Sequence, residues 1–173
     1  MKKDLLLLFA LVVIVAVLLT GTDFQTVEEY YLEHAEDVKP GEPSVTVSIR
    51  CDTLTAEEIK ADPALTGLVP LDGILLSPTV YALREGDTAF SLLQRATASE
   101  RIQMEYLGSG MTVYVQGIGY LYELAYGELS GWMFCVNGSF PQSGAASYRP
   151  SDGDRLEWIY SRALGRDIDG TGL

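Results

Sequence analysis

An apolar run from Leu5 to Leu19, free of charge and preceded by Lys2 and Lys3, constrains this chain more than any other feature. A basic flank followed by fifteen apolar residues is an export signal. The run has the length of a signal-peptide core, yet Thr20, Gly21 and Thr22 extend it toward the ~20 residues of a bilayer span. Val17, Leu18 and Leu19 offer no small side chain to a signal peptidase, and Thr22 stands where a lipoprotein signal would carry its cysteine. Residues 1–22 are therefore read as a membrane anchor rather than a cleaved signal peptide, with Lys2 and Lys3 inside the cell. Cleavage and secretion is the alternative. Both readings place the rest of the chain outside the cytoplasm, on the cell membrane or released.

Beyond the anchor, from Gly21 on, 10 basic residues face 23 acidic ones. That balance excludes nucleic acid as a partner and excludes electrostatic docking on anionic lipid. Residues 23–43 form an acidic juxtamembrane linker. Thr26 and Glu29 make a capping box ahead of Val27, Tyr30, Tyr31 and His34 at helical spacing, so the linker is either a short amphipathic helix or a solvated stalk. Lys39-Pro40-Gly41 ends it. The roughly 130 residues that follow, 44–170, suffice for one modest core and not for two.

Within this domain Val45 to Cys51 alternates apolar and polar residues, which predicts a first strand with Val45, Val47, Ile49 and Cys51 facing inward. Thr55 and Glu58 cap a brief helical turn, and a loop rich in Pro, Leu and Gly runs through Asp72-Gly73. Val80 to Leu83 reads as a second strand. Asp87 or Thr88 then caps the one long helix, whose core stripe is Ala89, Leu92, Leu93 and Ala96. Period-two patterning returns over Met104–Leu107, Met111–Gln116, Tyr120–Leu124, Trp132–Val136 and Arg155–Tyr160. Asn137-Gly138 predicts a tight hairpin turn, and Asp152-Gly153-Asp154 another. Strands outnumber the single long helix, so the expected class is α+β with a mostly antiparallel sheet and one main packed helix.

No catalytic constellation emerges. In Gly127-Glu128-Leu129-Ser130-Gly131 the serine is one place too late for a nucleophile elbow, and the sole histidine, His34, lies in the linker. Gly117-Ile118-Gly119 lacks the third glycine of a dinucleotide loop. Asp167-Ile168-Asp169-Gly170 begins like a calcium loop but ends before its bidentate glutamate. The expectation is a non-enzymatic protein with no metal and no cofactor. Cys51 and Cys135, both in strand-like runs, lie in an oxidising compartment that permits one disulfide. Buried free thiols are the equal alternative.

Aromatic residues crowd the second half of the domain. Alternation puts Trp132 and Phe134 on one face of their strand, and Tyr120, Tyr122 and Leu124 on one face of theirs. These rings either complete the core or form a flat binding platform.

Three segments together resemble a known family. They are Leu83-Arg84-Glu85-Gly86-Asp87-Thr88-Ala89-Phe90-Ser91-Leu92-Leu93, Gly131-Trp132-Met133-Phe134-Cys135-Val136-Asn137-Gly138, and Tyr148-Arg149-Pro150-Ser151-Asp152-Gly153-Asp154-Arg155-Leu156-Glu157-Trp158. In this order they resemble a bacterial domain family of unknown function that is similar to the C-terminal domain of transcobalamin and intrinsic factor, the vitamin B12 carriers. The likeness spans Val45 to Gly170. It implies a β-grasp-like fold and capture of a corrinoid such as cobalamin, which the carriers hold between this domain and a helical barrel absent here. It further implies that Tyr120, Tyr122 and Trp132 cover the ligand's face while Asn137 and the backbone of the Gln142–Tyr148 loop, with Gly144, Ala145 and Tyr148, bond its amides; Phe134 is counted among the ligand-binding residues. Family members often carry cysteines near Tyr126, Ala145 and Arg162; this chain has none there, so no disulfide pattern is carried over. Two functions are expected: a binding module that presents a corrinoid-like small ligand for uptake by a transporter, or a structural or protein-interaction domain at the cell surface.

Overall fold

The computed structural model describes residues 38–168. The anchor, most of the linker and the end of the 44–170 domain lie outside the described residues. In chain order the elements are β1 (Ser44–Arg50), α1 (Ala56–Ala61), β2 (Ile74–Ala82), α2 (Ala89–Ser99), β3 (Met104–Leu107), β4 (Tyr114–Ile118), β5 (Leu121–Tyr122), β6 (Gly131–Val136) and β7 (Arg155–Ser161). A 3₁₀ turn, Gly110–Thr112, lies between β3 and β4. Among the described residues the class is mixed α+β, mostly strand with two helices.

Four strands form the main sheet in the order β2-β1-β7-β6. Its outer pairs are antiparallel, whereas β1 and β7, the first strand and the last, run parallel from Thr46↔Arg155 to Arg50↔Ile159. The Asp152-Gly153-Asp154 turn sets that register. Ser44 N donates to Asp152 Oδ1 at 2.7 Å, Gly153 N to the Ser44 carbonyl at 2.8 Å, and Thr46 N to the Asp154 carbonyl at 2.9 Å. The turn expected there exists, but it docks on β1 instead of closing a hairpin.

One face of this sheet carries Val45, Val47 and Ile49 from β1, Leu156, Trp158 and Tyr160 from β7, and Trp132 and Val136 from β6. All pack in one core with Phe90, Leu92, Leu93 and Ala96 of α2. Thr88 caps α2: its Oγ1 accepts from Ser91 N at 3.1 Å while Ser91 Oγ accepts from Thr88 N at 2.9 Å. Two further amide groups of the first turn donate to loop carbonyls, Ala89 N to Tyr148 at 2.9 Å and Phe90 N to Ala145 at 3.0 Å, so the helix start is fully satisfied by its own domain. Asp87 does not cap; it pairs with Arg95 at 2.6 Å. The Thr55 and Glu58 capping box starts α1 as the sequence suggests.

The second sheet, β3-β4-β5, is antiparallel and small. Two side chains of the main sheet hold it. Trp132 Nε1 donates to the Leu121 carbonyl at 2.8 Å, and the Tyr160 hydroxyl lies 2.8 Å from the Tyr122 carbonyl and 3.0 Å from Ser130 Oγ.

Three expected strands move. β2 begins at Ile74 rather than Val80, because on an edge strand Pro78 costs no ladder bond and need not end the strand. β4 begins at Tyr114, since Met111 belongs to the 3₁₀ turn. Tyr120 is not in a strand: with Gly119 it forms the two-residue β4–β5 turn, both at positive φ (61° and 65°), and Leu124 also has φ 63°.

Cys51 and Cys135 are free and buried. Cys51 packs in the main core, whereas Cys135 joins Ile159 and Ile168 on the opposite face of the sheet. β7 lies between their strands, which separates the backbones by roughly 10 Å, beyond the ~7 Å a disulfide spans. Burial pushes both thiols up to about 12, helped by Asp52 for Cys51 and by Glu157 for Cys135.

Two measurements check this architecture. Thr88→Ala should lower unfolding free energy by about 1 kcal/mol in a urea melt, through loss of the helix cap. A thiol reagent should find both cysteines in denatured, unreduced protein and react far more slowly with either in the native state at pH 8, because both are buried and protonated.

Candidate functional site

Of the residues the sequence nominates for binding, the structure gathers some and separates others. Trp132 is internal: it is buried, its indole N–H is used by Leu121, and its ring meets Tyr160 edge-on at 5.5 Å. It forms no part of an exposed platform. The alternation was right, but the face carrying Trp132 turns toward the small sheet.

Phe134, Ala145 and Tyr148 come together at the start of α2. The Phe134 ring lies 6.0 Å from Tyr148 and 5.5 Å from Trp158, whose indole N–H is buried without a hydrogen-bond partner. The Ala145 and Tyr148 carbonyls are occupied by the α2 amides, and the Gly144 carbonyl by Ser147 N and Tyr148 N at 2.9 and 3.0 Å. The loop's backbone groups therefore serve the helix. Asn137, in its turn at φ 52°, donates from Nδ2 to Asp154 at 2.8 Å and accepts at Oδ1 from Arg155 N at 2.9 Å. Its amide ties the β6 turn to the start of β7.

Tyr120 and Tyr122 remain at the surface, on the small sheet. Register places Glu105, Gly117 and Tyr122 side by side on β3, β4 and β5. The Tyr122 ring lies over Gly117, where an added Cβ would come within 2.6 Å of it. Across that glycine the hydroxyl donates to Glu105 Oε1 at 2.9 Å and accepts from Gln103 Nε2 at 3.0 Å. Gln103 Oε1 accepts from Tyr120 N at 3.0 Å, which fixes the turn that carries the exposed Tyr120 ring. The result is a pre-ordered patch of two rings, a carboxylate and an amide.

Hydrogen bonding to Glu105 comes first among the causes that push the Tyr122 hydroxyl above the ordinary tyrosine range, with burial second. A matching pair lies nearby: Tyr114 donates to Glu123 at 2.6 Å, and that bond, with burial, pushes it up to about 12. These phenols are neutral donors locked to carboxylates at neutral pH. Gln103 and Glu105 were absent from the expected site. The signal for them is a glycine opposite an aromatic across a strand pair, visible only once the register is known.

Among the described residues no group of three or more His, Cys, Asp and Glu side chains is placed to hold a metal ion. Asp167, read as the start of a calcium loop, accepts from Ser161 Oγ at 2.5 Å and from Arg162 N at 2.7 Å, closing the turn after β7.

Residues 86–162 match the model of a family described as Domain of unknown function (DUF4430). The match runs from the turn before α2 through β7, so it contains the small sheet and the Phe134–Tyr148 corner. That family is uncharacterised, and the comparison shows no likeness to the vitamin B12 carriers. No curated protein matches the chain.

The Tyr122 arrangement is testable by titration. Glu105 raises the pKa of the phenol, so removing its charge must lower it. In Glu105→Gln one tyrosine should ionise earlier, nearer the ordinary value of about 10, while the remaining tyrosines follow the wild-type curve in a 295 nm titration.

Proposed function

We propose that the protein is a non-enzymatic, extracytoplasmic binding module, held at the cell membrane by its N-terminal apolar segment, that meets a partner protein on the small sheet. The working domain is β-grasp-like. The order β2-β1-β7-β6, with first and last strands parallel at the centre and one long helix packed on the sheet, supports that reading. The observation that carries the function is the Tyr120–Tyr122–Gln103–Glu105 patch, whose groups are ordered by one another before any partner arrives. Pre-ordering lowers the entropic cost of binding, and tyrosine supplies amphipathic contact area.

A corrinoid-like ligand is the second reading, favoured by one observation. Phe134, Tyr148 and Trp158 form an aromatic corner in which the Trp158 N–H lacks an acceptor that a ligand amide could supply. Against it, the rings expected to cover a corrin fall in separate places, with Trp132 in the core. A lone domain could bind such a ligand only weakly, since half of it would stay in water.

Two arms separate the readings. A photo-crosslinking amino acid at Tyr120 in the full chain, on the surface of the producing cell, should give one discrete protein adduct that Glu105→Lys abolishes and that a crosslinker at Leu68 does not form. Titration of the full chain with cobalamin and cobinamide should leave Trp fluorescence unchanged after inner-filter correction. A saturable change that Phe134→Ala removes, with no adduct at Tyr120, would replace the partner protein with the corrinoid.

A further inference from the structure

We infer that the tip of the β3–β4 hairpin is a wedge that enters the surface of an uncharged or zwitterionic lipid bilayer. Met111, at its apex, is the most exposed large apolar side chain among the described residues at 83 %, and Leu107 beside it is 58 % exposed. Tyr106 and Tyr114, 43 % and 48 % exposed, flank them at the strand ends. Both tyrosines are fixed to the domain, Tyr106 by an edge contact with Phe90 at 4.9 Å and Tyr114 by its bond to Glu123. Leu107 and Met111 are therefore held out on a rigid base.

The loop between them is closed by its own hydrogen bonds. Thr112 Oγ1 donates to the Ser109 carbonyl at 2.8 Å, Thr112 N donates to the same oxygen at 3.1 Å, and Ser109 N donates to Thr112 Oγ1 at 3.3 Å. Gly108, at φ 82°, allows this closure, since a Cβ there would collide with the Thr112 carbonyl. These bonds satisfy the Ser109 and Thr112 amides and the Thr112 hydroxyl inside the loop, which lowers the cost of bringing those groups into a region poor in water.

Charge selects the occupant. No charged residue occurs from Tyr106 to Tyr122, in a chain whose net charge is −12, and Glu123 reaches the base of the hairpin through its bond with the Tyr114 hydroxyl. An acidic protein is repelled by anionic lipid, so contact rests on apolar insertion with tyrosines at headgroup level. Two inserted side chains bind marginally by themselves. This inference rests on the tethered reading, which makes that sufficient. The chain between Leu19 and Val38 reaches no further than about 70 Å when fully extended, which keeps the tip at high effective concentration near the bilayer. Tyr120 lies at the far end of β4 from Met111, so a seated wedge leaves the binding patch free.

The test uses the full chain carrying Met111→Cys, labelled with an environment-sensitive fluorophore and reconstituted into phosphatidylcholine vesicles. Cys51 and Cys135 are buried and stay unlabelled in the native protein. Blue-shifted emission that is lost when the lipid carries bromine in the upper acyl chain is expected, and Leu107→Asp should abolish both effects. A label at Ser77→Cys, on the exposed part of β2, should show neither. Flotation with the vesicles reads the tether separately. Flotation without quenching at position 111 overturns the wedge and leaves the tether standing; absence of both overturns both. Equal quenching at 77 and 111 overturns the wedge as non-specific. Excimer emission from a pyrene at position 111 without lipid would assign the tip to a second copy of this chain, and overturns it too.

Discussion

The structure depends on the parallel pairing of β1 with β7. These strands are the first and last of the domain, and everything between them must leave the sheet and return to close the ladder from Thr46↔Arg155 to Arg50↔Ile159. A parallel pair cannot be closed by a hairpin. The intervening chain supplies the two edge strands, the helix that covers the core face and a second sheet. The Asp152-Gly153-Asp154 turn fixes the register with three bonds to Ser44 and Thr46, and register decides which side chains are buried. With it, Leu156, Trp158 and Tyr160 join Val45, Val47 and Ile49 in the core.

Tyr160 and Trp132 carry this constraint to the small sheet. Each is buried and spends its polar atom on a carbonyl of β5, so the small sheet is pinned by hydrogen bonds whose donors belong to the main core. That pin lies directly behind Tyr122. The phenol is thus held from below by backbone and from above by Glu105 and Gln103, and its ring rests on Gly117.

Much of this was legible in local sequence. The β1 alternation, the capping box at Thr55, the α2 stripe and the positive-φ turn at Asn137-Gly138 all rest on neighbours within a few residues, and all four appear. Thr88 was one of two caps offered and is the one that caps; the Asp87 carboxylate accepts from Ser91 Oγ and pairs with Arg95. What the sequence hid depends on distant partners. Alternation placed Trp132 on one face of its strand but could not say that the small sheet would cover that face. Tyr120 looked like a strand residue until Gly119 beside it took the turn. Gln103 and Glu105 became meaningful only when β3 was set against β4 and β5. The patch around Tyr120 and Tyr122 was half visible because its tyrosines announce themselves and its register does not.

The parallel ladder has a mechanical consequence. The chain enters the domain at the start of β1, and β7 ends at the opposite end of the same pair. Tension applied between that entrance and the end of β7 pulls the two strands along their length in opposite directions. Every hydrogen bond between them is then loaded in shear at the same moment, whereas a hairpin pulled by its two free ends opens one bond at a time. A domain hung by its first strand and gripped near its last resists pulling as a bolt does, and its weakest direction lies elsewhere, at the β2 edge and in the small sheet.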